Sequence, residues 1–490
     1  MQRYCALALT ILGRLAVNTL TRFAIHPISA VCLAVVGICF TATVSLAFCP
    51  APSSPDYRAA AEAQFKCSSE RKPENLPTGE REFQVKLDFP GDLPLPTDLP
   101  WKDIDFQSEP EKYIRALLAY GLKDNTASQI DWRIENNTAS RWCHAPWFHN
   151  QRERIHGMTA ERSSRPKELH ELQVTSARNW AIGFYNDIGC YALGKIWRDP
   201  TFPRTKDLSF PEGTYAIKLI FTTASLREVP YLTGSKEWNA AIGSNDRTDD
   251  GTVVKMRLLQ VDVAVRDSDA NAYTGWLFGT FMYDAYAPGE TVWEKLVLVG
   301  LMWGNDPDLT TVLYEERGRV SQQGWLNPAV AAKFFYLPRH NLGLHGRVNG
   351  PIDNPKSACL ACHGRALDWG RGVEPNTPVA EEAGLLRPFA PNPYDDGAVK
   401  NFFRNLKSHE PFVEGTQSLD YSLQTSDGLM RFRTWVVKNF SAEEKSTSDV
   451  PPYRFRVEQP SAGVTEYFRQ LERKAAPPIP SNGGLGRGGE

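Results

Sequence analysis

Between Ser357 and Gly364 the chain reads Ser-Ala-Cys-Leu-Ala-Cys-His-Gly, and no other stretch restricts the possible folds as sharply. Two thiols three residues apart lie on one face of an incipient helix, and His363, four residues after Cys359, joins them there. Cys359 and Cys362 are thereby placed to form thioether bonds to the vinyl groups of one haem, with His363 positioned to bind its iron from below. A redox dithiol or half of a zinc site uses the same Cys spacing. Zinc needs a second close pair of ligands, yet no cysteine follows Cys362. A dithiol favours the start of a helix in a βαβ unit, whereas Pro351, Asn354 and Pro355 predict an irregular lead-in.

Attachment of haem in this way takes place after export in bacteria, so the N-terminus carries the second constraint. Residues 1–27 contain Arg3, Arg14 and Arg22 and no acidic residue, and residues 28–48 run without a charge. The run is long enough to span a bilayer, and the positive flank places the N-terminus in the cytoplasm and the bulk of the chain outside. Ser45-Leu46-Ala47 offers the small residues a signal peptidase accepts, so residues 1–48 read as a cleaved signal peptide or a retained membrane anchor. Both readings place the protein in the periplasm or on the outer face of the cytoplasmic membrane. In such an oxidising compartment Cys143 and Cys190 either pair or stay as buried thiols. With 55 basic and 57 acidic residues and no long run of either sign, the composition points to no nucleic acid and to no membrane contact beyond the N-terminal segment.

At 490 residues the chain allows one large elaborated domain or two domains. Residues 49–105 are rich in Pro and charge and read as a polar linker. Residues 106–474 read as a single haem-binding α+β domain, and the Pro- and Gly-rich 475–490 as a disordered tail. That tail matches G-x-G-x-x-G by letter at Gly484–Gly489, but no strand precedes it, which excludes a nucleotide site. A helix is predicted from Ser108 to Leu122, where Tyr113, Leu117, Leu118 and Leu122 recur at helical spacing. The aromatic cluster from Arg141 to His149, followed by His156, either lines a cofactor pocket or forms a core with arginines at its edge. Residues 176–200, with Gly183, Gly189 and Gly194 among the aromatics, read as short helix and loop.

The middle third is β-rich, with the sheet expected over about 205–310. Strands are predicted at 214–222, 253–265, 274–283 and 293–302, forming an antiparallel sheet of about four or five strands with flanking helices and many loops. In the second of these, Val254, Met256 and Leu258 alternate with polar neighbours, and Val261, Val263 and Val265 do so in the opposite phase. A β-bulge near Leu259 and Gln260 accounts for the slip. The haem segment, about 350–370, follows the sheet. Helical or extended covers are expected at 399–406 and 429–437, and an amphipathic helix at 461–473.

The motif resembles that of c-type cytochromes, but in the small helical members it lies near the N-terminus. A haem segment that follows a sheet resembles instead the β-sheet c-type cytochromes, comprising the hydroxylamine-oxidising cytochrome with a lysine-crosslinked haem and its β-sheet cytochrome c-prime relatives. The matching pieces are Phe210-Pro211-Glu212-Gly213 leading into a strand with Lys218, then Thr274-Gly275-Trp276-Leu277-Phe278-Gly279, then Cys359–Gly364, over roughly residues 201–368. The resemblance implies a haem seated against an antiparallel sheet, His363 as proximal ligand, an open distal side able to act on a small nitrogen compound, and Lys218 as a position for a crosslinking lysine.

Two function classes follow. Electron transfer requires a sixth iron ligand, for which Met430 or His345 are the candidates, with His340 and His409 as further alternatives. Its partner is a redox protein or a small-molecule electron donor or acceptor. A haem redox enzyme or a non-catalytic haem sensor requires the sixth position to be open.

Overall fold

The computed structural model describes residues 49, 56–70, 76–96, 98–139, 141–244, 251–329, 342–368 and 390–440. The expected N-terminal segment 1–48, the helix at 461–473 and the tail 475–490 lie outside them. All described residues fall in one compact unit, Ser45–Glu490. Among them no helix is long and apolar enough to cross a membrane.

The architecture is α+β with an antiparallel sheet at its centre. Nine strands build it: β1 Trp142–Cys143, β2 Thr159–Ala160, β3 Asn179–Asn186, β4 Tyr215–Thr222, β5 Glu237–Ala241, β6 Val253–Arg266, β7 Trp276–Tyr283, β8 Leu296–Met302 and β9 Gly324–Leu326. They run in the order β1-β3-β4-β6-β7-β8-β9, with β2 also pairing β3 and β5 also pairing β6. A separate ribbon joins β10, Leu367–Asp368, to β11, Gln417–Ser418. The helices are α1 Tyr57–Phe65, α2 Pro110–Leu122, α3 Asp187–Ile196, α4 Thr311–Glu315, α5 Cys359–His363, α6 Asp396–Phe402 and α7 Leu423–Phe440.

Each face of the sheet buries a different set of elements, as the period of two along its strands requires. On one face Tyr113, Ile114, Leu117 and Leu118 of α2 share a core with Ile217, Val263 and Phe281. Gly279 permits that approach, because a Cβ there would run into Ile114. On the other face Ala264, Trp276, Phe278 and Met302 share a core with Leu360 and Ala361 of α5, Phe402 of α6 and Phe432 of α7. The motif helix therefore belongs to the second face.

The long strands lie where alternation put them, and the register between β4 and β6 slips at one place: Ile220 pairs Gln260 while Phe221 pairs Leu258. Leu259 is the extra residue, so Met256, Leu258, Val261, Val263 and Val265 all reach the apolar core. The sheet is wider than four or five strands, because short edge strands carry too few residues to show a period.

Strand β3 corrects the reading of 176–200 as helix and loop. Gly183 sits mid-strand, and a Cβ there would meet the Gln424 amide of α7, so its lack of a side chain serves packing rather than a turn. Asn186 then ends the strand and caps α3, its side-chain oxygen accepting the Gly189 N–H at 3.0 Å.

The stretch 49–105 is more than a linker. It forms α1 and contributes Phe83, Val85 and Trp101 to the core. Trp101 is fully buried, its ring 5.0 Å from that of Tyr120 and 5.8 Å from that of Tyr215. These apolar residues are too widely spaced among prolines to produce a periodic signal.

Cys143 of β1 and Cys190 of α3 form a disulfide that spans 47 residues, with Cα atoms 5.9 Å apart. It constrains the unfolded chain, so Cys143→Ala with Cys190→Ala is expected to lower stability by about 2–4 kcal/mol. Urea midpoints of the two proteins under non-reducing conditions measure the loss.

Candidate haem-attachment site

The motif helix is short and its two sides differ in burial. Ala358 is extended, and α5 then closes its turn through Cys362 N–H to Ala358 O at 2.9 Å and Gly364 N–H to Leu360 O at 2.8 Å. Leu360 and Ala361 are buried in the apolar cluster, whereas Cys359, Cys362 and His363 keep partial exposure. The helical repeat thus separates anchoring side chains from reactive ones.

His363 is held from two directions. Its ring centroid lies 4.6 Å from that of Phe278 on β7, and its Nδ1 lies 2.9 Å from the carbonyl oxygen of Tyr421. A carbonyl only accepts, so Nδ1 carries the proton and Nε2 carries the lone pair. Nε2 makes no hydrogen bond with the described residues. Burial pushes the His363 pKa down to about 4, leaving a neutral imidazole, the form that ligates a metal. Burial likewise pushes Cys362 up to about 11 and Cys359 well above its usual value, so both are thiols at neutral pH.

Opposite the motif, the sheet presents a polar row. Gly183, Lys218, Asp262, Thr280 and Gly300 pair in succession across β3, β4, β6, β7 and β8, which puts them side by side on one face. Lys218 Nζ lies 2.6 Å from Glu161 Oε1. Asp262 accepts the Thr280 hydroxyl at 2.6 Å and the Gln260 amide at 2.8 Å. The same amide reaches Asp353 Oδ2 at 3.2 Å, and Gly350 N–H donates to that oxygen at 2.8 Å, clasping the lead-in loop to the sheet. The charges of Lys218 and Asp353 act on both Cys362 and His363. Lys218 keeps 34% of its side-chain surface accessible.

The residues present fit a haem. Two thiols and an imidazole whose Nε2 makes no hydrogen bond with the described residues share one side of α5, and the imidazole's other nitrogen has the outer hydrogen bond typical of metal ligands. Among the described residues no group of three or more His, Cys, Asp or Glu converges to hold a bare metal ion.

The sixth-ligand candidates are placed differently. His345 is buried, with Nε2 2.9 Å from Thr311 Oγ1 and Nδ1 3.1 Å from both Leu309 O and Arg347 Nη1, so both ring nitrogens are engaged. Met430 is partly exposed in the middle of α7, His409 is exposed, and His340 lies outside the described residues. The histidines of the aromatic cluster serve packing. Nδ1 of His144 accepts the Lys86 N–H at 2.9 Å, His149 lies against Trp147, and His156 stacks on Trp238 with centroids 4.2 Å apart. A surface cleft of about 400 Å³ beside His156 and Trp238 shares no residue with the motif.

Glu161, Asp262, Thr280 and Asp353 carry no signal of a site in the sequence, and Gln260 stands out there only for the bulge. Asp262 did leave a trace, as a charge between Val261 and Val263 in an otherwise apolar run. Comparison of the chain with family models, curated proteins and solved structures finds no match.

Proposed function

We propose that the chain is an exported monohaem c-type protein, with Cys359 and Cys362 as the covalent attachment points and His363 as the proximal iron ligand. The observation that carries this reading is the 2.9 Å contact between His363 Nδ1 and the Tyr421 carbonyl, which leaves Nε2 to the iron. Export is supported by the disulfide between Cys143 and Cys190, a bond that persists in oxidising compartments.

When bound, haem supplies a one-electron iron centre with a sixth position for a ligand or substrate. The chain's own part is to fix the imidazole tautomer through Tyr421, to support the ring through Phe278, and to place polar groups on the sheet opposite the motif. Lys218 is held as a cation there: burial alone would lower its pKa, but Glu161, Asp262 and Asp353 raise it. Of the two function classes, redox chemistry on or sensing of a small molecule is favoured over simple electron transfer. Both nitrogens of His345 are engaged elsewhere, and the row of Lys218, Asp262 and Thr280 gives a small polar ligand hydrogen-bonding partners. A nitrogen compound such as hydroxylamine fits that setting, and Lys218 is the cation that would face it.

Spectra test the reading. Protein matured in a cell that attaches haem c is expected to keep its colour through denaturation and to stain for haem on a denaturing gel. After reduction its Soret band is expected to shift on addition of carbon monoxide. Colourless protein overturns the haem reading, and coloured protein unresponsive to carbon monoxide returns the choice to an electron carrier.

A further inference from the structure

We propose that Asp420 is the positioning residue for the iron ligand: it locks the turn whose next carbonyl, that of Tyr421, holds His363. The inference rests on the haem reading and deepens it.

The turn is unusual in its backbone. Ser422 N–H donates to Leu419 O at 2.9 Å, and the two residues between them, Asp420 and Tyr421, have φ of 46° and 67°. Positive φ at both central positions marks a type I′ turn, which Gly and Asn adopt readily and a bulky residue such as Tyr does not. Such a conformation persists only where the surroundings over-determine it. Asp420, fully buried, does so through three donors: Phe210 N–H at 2.6 Å, the Trp276 indole N–H at 2.9 Å and the Ser408 hydroxyl at 2.8 Å. The Tyr421 hydroxyl donates to Leu406 O at 2.7 Å, and Leu419 N–H donates to Ala366 O at 3.0 Å, which ties the turn to the residue three beyond His363.

Three donors converging on one side chain call for a group that only accepts, and an ionised carboxylate is the one that does. Asparagine has the same shape but would turn an NH₂ toward one of the donors. The turn would then relax, and the Tyr421 carbonyl would swing from Nδ1. That carbonyl both selects the tautomer and makes the imidazole a stronger donor to iron, which favours the oxidised state. Asp420 thus acts on the iron through two intervening groups without touching it.

The test uses the full chain as wild type, Asp420→Asn, Ser408→Ala and, as a control from the opposite face of the sheet, Ile114→Val. In haem-loaded protein, Asp420→Asn is expected to lower the iron–histidine stretching frequency of the reduced form. It is also expected to raise the ratio of ferrous to ferric protein at a given potential about tenfold, or 59 mV for one electron. Ser408→Ala, which removes a single donor, shifts both in the same direction by less, and Ile114→Val shifts neither. In the same chains made without haem, ¹⁵N spectra of His363 are expected to show the Nδ1–H tautomer in wild type and a move toward Nε2–H in Asp420→Asn. Unchanged tautomer and unchanged stretching frequency in both Asp420→Asn and Ser408→Ala overturn the proposal. If Asp420→Asn does not fold, Ser408→Ala decides. If wild type takes up no haem, the haem reading falls, while the tautomer measurement still decides the role of Asp420.

Discussion

A chain in which Cys359 and Cys362 are both serine is expected to leave a haem-attaching cell with no covalently bound haem, and Cys362→Ser alone to leave staining weakened or absent. The physical case is that the fold does not depend on the thiols. Both are partly exposed, and α5 is anchored instead by Leu360 and Ala361, which are buried in the apolar cluster beneath the helix. Replacing a partly exposed thiol by a hydroxyl removes little packing, so stability is expected to change by less than about 1 kcal/mol per site. Colour and stability should therefore separate: haem staining disappears while the thermal midpoint of haem-free protein stays near that of haem-free wild type. Staining that survives the double replacement shows that any haem is attached elsewhere. A collapse of stability without haem shows that the cysteines are structural.

The expected behaviour of that variant depends on features that differ in how visibly they stand in the sequence. The motif is local, and the helical spacing of its five residues let the sequence place Cys359, Cys362 and His363 on one turn before any fold was known. The long strands were legible as well. Alternation in Val253–Arg266 is strict enough that its break revealed the bulge at Leu259. Strand β3 was hidden because Gly183 reads as a loop residue until Gln424, far away in sequence, is seen to occupy the space above it. Trp101 was hidden among prolines for a similar reason, since its partners Tyr120 and Tyr215 come from α2 and β4. The surroundings of His363 were the least visible part. A backbone carbonyl has no letter of its own, so nothing in the sequence marks Tyr421 as the acceptor for His363. Lys218, Asp262 and Thr280 become neighbours only once three strands are in register.

Asp262→Asn is expected to remove a pH-dependent penalty from that polar row. Burial first, and then the nearby charge of Asp353, push the Asp262 pKa up to about 7, while Thr280, Lys218 and Gln260 pull it down by less. In the unfolded chain an aspartate titrates near ~3.9. Between these two values the folded protein binds a proton that the unfolded chain has released, so stability falls as pH rises. The contribution of this group is complete below about 4 and is lost as pH climbs through about 7. A shift of this size corresponds to an upper limit of about 4 kcal/mol, and relaxation of the surrounding polar groups reduces it to about 2 kcal/mol. Asparagine cannot ionise. Measured as the stability of Asp262→Asn minus that of wild type, the difference should therefore move in favour of the variant by about 2 kcal/mol between pH 5 and pH 8.5. A hydrogen bond lost to Gln260 in the variant adds a constant at every pH and does not alter this slope. Buried His144 and His156, whose pKa values burial depresses, make stability fall as pH drops below the unfolded value, but they do so in both proteins and cancel. A flat difference would mean that Asp262 is ionised in the folded state throughout, held by Lys218 as one half of an ion pair. A sloping one would mean that the polar row carries, close to Cys359, a group able to take or release a proton near neutral pH, which the proposed redox reaction on a small nitrogen compound needs and a simple electron carrier does not.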